Sequence, residues 1–199
     1  MPSVRQNRRR TPIQTRSTQL VRDVLEAAVR VLEWEGVERF TTTRVAEVAG
    51  VSVGSVYQYF ADKHAILFQL QLEEWDRTGA LMEELLSERA LPADERLRRA
   101  TRAFFRSERE EAPLRRALQA VSTAWEHGPE AHAVRERAEA LALRFVAELA
   151  PHHRDPAFAA RMLLLTLRSM GLAVSEEPDM DVDRAADAVT VGLIASLRH

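Results

Sequence analysis

The chain of 199 residues contains no cysteine. Disulfides, thiolate nucleophiles and cysteine-ligated zinc or iron–sulfur sites are therefore excluded, and nothing indicates an oxidising compartment. Long apolar runs are scarce too: the richest stretch, residues 162–174, is short and is interrupted by Arg168, so no membrane span is predicted. Hydrophobic residues make up 46% and charged residues 29%, a balance typical of a soluble globular protein.

Acidic residues are missing from the first 22 positions, where six arginines precede Asp23. Residues 1–64 carry a net charge of +3 and residues 65–199 a net charge of −5, so the overall −2 conceals two parts that we expect to meet different partners. We interpret residues 1–17 as a basic flexible arm that follows phosphates. The alternatives are an unstructured solubilising terminus and an arginine-rich organelle presequence.

No segment alternates with a two-residue period, whereas apolar residues recur at three- and four-residue steps almost throughout. The predicted fold class is therefore all-α, with about nine helices. The first helix follows Ser17 or Thr18 and ends at Gly36, and the fourth runs from Lys63 to about Arg89. The other predicted helices cover residues 42–49, 53–59, 93–110, 113–126, 129–150, 156–175 and 182–198, the later ones delimited by prolines.

Residues 42–59 carry the most specific functional signal. Two short helices joined by a three-residue turn need small residues where they cross, and Ala46 and Gly50 meet that need, while Val45 and Val56 fill the core between them. The outward positions hold hydroxyls, a carboxamide and an arginine, which suit phosphates and base edges. The pattern predicts a helix-turn-helix whose second helix enters the major groove. A simple helical corner is the alternative.

The pattern Gly50-Val51-Ser52-x-Gly54-x-x-Tyr57-x-x-Phe60-x-x-Lys63 follows the threonine run at residues 41–43. With these motifs, residues 18–67 resemble the DNA-binding domain of the TetR family of bacterial transcriptional regulators. The resulting division of the chain is an arm at 1–17, a helix-turn-helix domain at 18–64 and a ligand-binding and dimerisation domain at 65–199. The expected DNA-contacting residues are Thr42, Thr43, Arg44, Ser52, Val53, Gly54, Ser55, Tyr57, Gln58, Tyr59 and Lys63.

The resemblance implies different roles within this set. The threonines contact phosphates or bases, Tyr57 and Tyr59 donate to phosphates, and Lys63 adds a positive charge at a helix N-terminus. Base reading then falls to Arg44, Val53, Gly54, Ser55 and Gln58. Because no arginine lies on the second helix to bind guanine, we expect specificity to depend on Arg44 and on DNA shape.

For residues 65–199 the resemblance implies a ligand cavity among the middle helices. Bulky and polar side chains suited to such a pocket are common there, although each could equally be ordinary core. The candidates are Trp75, Met82, Phe104, Phe105, Gln119, Trp125, His127 and Phe145.

The last two predicted helices combine a wide apolar face with a stripe of small residues that lets helices approach closely. Two copies could form a four-helix interface here, or the same residues could seal a monomer core. The candidate interface residues are Phe158, Met162, Leu165, Ala185, Ala188, Gly192 and Ala195.

Together these features predict a cytoplasmic, ligand-responsive transcriptional regulator. The preferred version is a repressor that binds a palindromic operator as a homodimer and is released by a small molecule; activation stays open. The alternative is a helical-bundle ligand carrier or enzyme whose N-terminal domain contacts proteins. No catalytic residue, cofactor or metal site is predicted: residues 50–54 match G-x-S-x-G but lack the preceding strand of a hydrolase elbow, and His132 with Glu136 lacks a second ligand pair.

Overall fold

A computed structural model describes the backbone of residues 12–112 and 128–198, with side chains from residue 17 onward. This part of the chain is helical and contains no strand, which confirms the all-α prediction. It holds eight of the nine predicted helices, because the helix predicted at 113–126 lies outside the described residues. The helices are α1 (Pro12–Glu35), α2 (Thr42–Ala49), α3 (Val53–Tyr57), α4 (Lys63–Ser87), α5 (Ala93–Glu110), α6 (Pro129–Leu149), α7 (Pro156–Glu176) and α8 (Val182–Arg198).

Two boundaries differ from the sequence prediction. Helix α1 begins at Pro12 rather than after Ser17, so the last residues of the predicted arm are helical. The reason is that proline is well tolerated at the first helical position and no helix breaker follows it. The chain divides into two compact units between Gln69 and Leu70, inside α4, five residues beyond the expected boundary.

The first unit is built around the apolar face of α1, which packs against α2; α2 in turn packs against α3. Val24 and Val31 of α1 are fully buried, and so are Val45 of α2 and Val56 of α3. Ala46, also fully buried, is the small side chain expected where α2 and α3 cross. These burials supply the main stabilisation of a unit in which α2 and α3 are too short to be stable alone.

Two glycines end the helices of this unit. Gly36 follows α1 with φ 76°, and Gly50 follows α2 with φ 71°, both in the left-handed region that side chains disfavour. The amide of Gly50 donates to the carbonyls of Ala46 and Glu47, so the last turn of α2 closes before the chain reverses. The turn predicted at residue 50 is confirmed.

Side-chain oxygens cap the three helices that follow. The hydroxyl of Thr41 accepts from the amide of Arg44, and that of Ser52 accepts from the amide of Ser55. A carboxylate oxygen of Asp62 accepts from the amide of Ala65 at 2.9 Å. These caps fix where α2, α3 and α4 begin, as expected for threonine, serine and aspartate at these positions.

In the second unit, α5 packs against α6, α7 and α8. One apolar cluster includes Leu97, Phe145, Val146 and Leu163, and a smaller one surrounds Phe105. Phe105 and Phe145 are therefore core residues, with the Phe145 ring 5.5 Å from the buried guanidinium of Arg96.

Ion pairs line the contact between α5 and α8. Arg102 donates to both carboxylate oxygens of Asp187 at 2.7 Å, and Arg106 donates to both oxygens of Asp183 at 2.8 Å. The arginine number rises as the aspartate number falls, so the two helices run antiparallel. A four-residue spacing on each helix keeps both pairs on one side.

Arg109 organises the connection between α7 and α8. Its guanidinium donates to four backbone carbonyls, those of Val174, Glu177, Pro178 and Met180, at 2.9–3.0 Å. Carbonyls at the end of a helix have no intrahelical partner, and this arginine satisfies them.

One helix among the described residues, α7, is long and apolar enough to cross a membrane by length and composition alone. The sequence prediction weighed only residues 162–174, whereas the helix that passes this test begins at Pro156. One such helix is weak evidence for a membrane span. Helix α7 packs against α5, α6 and α8, and a core helix of a bundle passes the same test.

Replacing Gly50 by alanine tests the left-handed turn. Gly50→Ala should lower the stability of the first unit by about 1–2 kcal/mol, since a Cβ disfavours this backbone conformation. Gly54→Ala is the control, because Gly54 lies in α3 without a positive φ and its nearest neighbour would be Ser52 Oγ at 3.8 Å. Thermal melting followed by circular dichroism measures both, and equal melting temperatures would contradict the assignment.

Gly171 of α7 tests the packing of the second unit. A Cβ there would lie 2.8 Å from the Phe104 ring and 3.0 Å from Glu108 Cγ, so Gly171→Ala should destabilise by about 1–3 kcal/mol. A Cβ at Gly79 of α4 would meet nothing within 4 Å, and Gly79→Ala should stabilise by about 0.5–1 kcal/mol. Chemical denaturation compares them; a neutral Gly171→Ala would show that the contact is not tight.

Candidate nucleic-acid interface

The candidate interface lies on α2, α3 and the first turn of α4. Ser52 starts α3 as its N-cap, and the two serine hydroxyls Ser52 Oγ and Ser55 Oγ lie 2.7 Å apart. Since α2 and a turn precede Ser52, where a hydrolase elbow needs a strand, the G-x-S-x-G match is not a nucleophile elbow.

Two tyrosines stand out from the surface here. Tyr57 is 54% exposed and Tyr59 is 43% exposed, and neither hydroxyl has a hydrogen-bond partner within the described part of the chain. Helix α3 ends at Tyr57, two residues earlier than predicted, and the Tyr59 amide donates to the Val56 carbonyl. Both phenols therefore remain available as donors at the end of the second short helix.

Lys63 is the first residue of α4, and its ammonium forms no ion pair among the described residues. It lies one residue after the Asp62 cap, next to amides that have no intrahelical partner. A positive charge beside a helix N-terminus favours an anion.

Most of the predicted contact set is exposed or half-buried, as a binding surface requires. Gly54, Gln58 and Thr43 are exposed, whereas Thr42 is buried at 7% exposure. Thr42 is the one buried member of the set.

Arg44 is bound by two carboxylates. Its Nε donates to Glu35 Oε1 at 2.7 Å, and its Nη1 donates to Glu47 Oε2 at 2.9 Å. The hydrogen bond from Arg44 lowers the pKa of Glu35, against a smaller opposing effect of desolvation, and the same pairing raises the pKa of Arg44. Both groups thus keep their charges at neutral pH.

These residues border an open groove of about 670 Å³, lined by Glu35, Arg39, Thr41, Thr43, Arg44 and Glu47. Sequence reasoning did not single out Arg39, whose exposed side chain precedes the threonine run. A basic residue next to a predicted helix N-terminus is the signal that could have identified it.

The predicted ligand-pocket residues are not gathered around one described cavity. Met82 packs against the larger apolar cluster and Phe104 against the smaller one, while Trp75 is half-buried on α4. Gln119, Trp125 and His127 lie outside the described residues.

Most of the predicted dimer residues are exposed on α7 and α8 of the second unit. Phe158 is 58% exposed and Leu165 is 51% exposed on α7, beside Met162. On α8, Ala188, Gly192 and Ala195 are exposed and Ala185 is half-buried. This apolar surface, which we call the α7–α8 face, has no cover within the described part of the chain.

Comparison with known proteins links these features to a family. Residues 24–70 match the model of the bacterial regulatory proteins of the tetR family. The fatty acid metabolism regulator protein of Bacillus subtilis is 35% identical over 67 residues, which is 34% of this chain and 34% of that protein. The match thus spans about a third of the curated relative.

Solved structures extend the likeness to the fold of most of the chain. The transcriptional regulator FadR of Bacillus subtilis, in complex with stearoyl-CoA, has a TM-score of 0.71 at 21% identity, over 87% of this chain and 97% of that one. The TetR-family transcriptional regulator PfmR of Thermus thermophilus has a TM-score of 0.67 at 23% identity, over 86% and 97%. Residues 24–70 thus match the tetR family model, and the fold over most of the chain resembles that of these solved regulators.

Proposed function

We propose that the protein is a DNA-binding transcriptional repressor, cytoplasmic, that binds a palindromic operator as a homodimer and is released by a small molecule. The observation that carries the proposal is the pair α2 and α3, joined by the left-handed turn at Gly50, with an exposed polar surface on α3. A short helix presented in this way fits the major groove of B-DNA.

Each element of the interface has its own task. Tyr57, Tyr59 and Lys63 donate to phosphates and set the position of α3 on the duplex. Gly54 lets the backbone approach the DNA closely, since no side chain intervenes. Ser55 and Gln58 reach base edges, and Val53 contacts a thymine methyl group.

The positive charge of the N-terminal part resides in the arm. Without residues 1–16, the stretch 17–64 holds five basic and seven acidic residues, so it is net negative. Five of the ten basic residues of this part precede position 17. The arginines of the arm therefore supply most of the salt-sensitive, sequence-independent attraction to DNA.

The partner of the α7–α8 face is a second copy of this chain. The face is apolar and built partly from small residues, as a close helix–helix interface requires. A short recognition helix reads only a few base pairs, and a two-fold dimer doubles the site.

The second unit binds the effector. The half-buried side chains Trp75, Met82 and Phe104 are the best described candidates to line its site, since Phe105 and Phe145 belong to closed clusters. The FadR structure that contains stearoyl-CoA supports a small-molecule effector in a protein of this fold. Ligand binding favours a conformation of lower DNA affinity and so shifts the population away from the operator.

The phosphate contacts give the first functional prediction. Tyr57→Phe, Tyr59→Phe and Lys63→Ala should each weaken binding about 3- to 30-fold on every duplex sequence, because each removes a donor to phosphate. Lys63→Ala should also lower the slope of log affinity against log salt by about one. Fluorescence anisotropy with the operator selected from a random duplex library measures these effects. His132→Ala on α6 is the control, and failure of the wild type to bind any duplex at low salt would refute the proposal.

The proposed homodimer gives the second functional prediction. Leu165→Glu places a charge in the α7–α8 face and should convert a dimer into a monomer, since burying an unpaired carboxylate is costly. Leu143→Glu is the matched control, because Leu143 is an exposed leucine of α6 outside that face. Light scattering at micromolar concentration distinguishes the two masses, and a monomeric wild type would contradict the interface.

A further inference from the structure

We infer that Arg44 is not a base reader but a positioning residue that joins α1 to α2 and screens two carboxylates from the DNA. This inference rests on the proposed function, because it concerns how the interface meets a polyanion. It changes the role that residue type alone suggested for the arginine.

Every nitrogen of the Arg44 guanidinium has a carboxylate oxygen as its partner. Nε and Nη2 each lie 2.7 Å from Glu35 Oε1, and Nη1 lies 2.9 Å from Glu47 Oε2. Glu35 is the last residue of α1 and Glu47 lies in the last turn of α2. The Arg44 side chain, near the start of α2, thus connects the last residue of α1 to the last turn of α2.

Releasing Arg44 to a base would leave these acids without their partner. The Glu35 side chain is only 18% exposed with the guanidinium in place, and its carboxylate would lose its charge-assisted hydrogen bonds if the guanidinium departed. A hydrogen bond from Arg44 to guanine would have to compensate for the lost ion pairs before it could add to the DNA affinity. Arg44 therefore keeps its ion pairs with Glu35 and Glu47 when DNA binds.

The position of the acids adds a second reason. Glu35, Glu47 and Thr43 border the same groove, and Thr43 belongs to the expected DNA surface. Two carboxylates beside a phosphate-contacting segment repel the duplex unless a cation neutralises them. Arg39 and Arg44 provide such cations, and without Arg44 the groove would change from a net charge of zero to −1.

A charge-rescue experiment separates positioning from base reading. Arg44→Gln should weaken binding about tenfold for all duplexes, with the sequence selected from a random library unchanged at every position. The salt slope should stay constant, because no phosphate contact is lost. Adding Glu35→Gln and Glu47→Gln to Arg44→Gln removes the orphaned acids and should restore most of the affinity.

The opposite pattern would overturn the inference. If Arg44→Gln relaxes the preference at one base pair and the triple variant stays weak, then Arg44 reads that base. Thermal melting of Glu35→Gln, Arg44→Gln and the double variant forms a cycle that does not involve DNA, and a non-zero coupling confirms the ion pair. A wild type that binds no duplex would count against the proposed function, whereas zero coupling would count against the ion pair itself.

Discussion

The left-handed backbone at Gly50 is the constraint on which the candidate interface depends. It ends α2 by closing the last turn onto Ala46 and Glu47, and it reverses the chain within three residues. Only after that reversal can Ser52 cap α3 and present its polar surface. The expected DNA-contacting residues are of common types. Their presentation on α3 depends on Gly50, which is not itself one of them.

The second unit is held together differently. Its apolar clusters are supplemented by arginines that reach across helices, to carboxylates in the case of Arg102 and Arg106 and to backbone carbonyls in the case of Arg109. Such bonds add modestly to stability at an exposed surface, yet they are directional where apolar contacts are not. They help to determine which side of α8 faces α5 and hence which side remains outside.

Local signals explain what could be predicted from the sequence. Caps, glycines and prolines act within a few residues, so the bounds of α2, α5 and α8 agreed with their residue patterns. Side-chain partners were harder to predict. Arg44 and Glu47 are three residues apart on one helix, but Glu35 meets Arg44 only because α1 packs against α2. The residues that line the pocket could not be predicted from sequence, because a bulky side chain can fill an apolar core as well as line a cavity.

The arginine row on α5 has a consequence for the register of α8. Arg98, Arg102 and Arg106 repeat every four residues, whereas α8 offers only Asp183 and Asp187 to them, and Asp187 already lies 3.7 Å from Arg98 Nε. Sliding α8 by one turn, about 6 Å, would again give two ion pairs, so the row is degenerate with respect to register. Contacts at the two ends of α8 select one register. Arg109 binds backbone carbonyls just before the helix, and Arg198 pairs with Asp94 at its last turn.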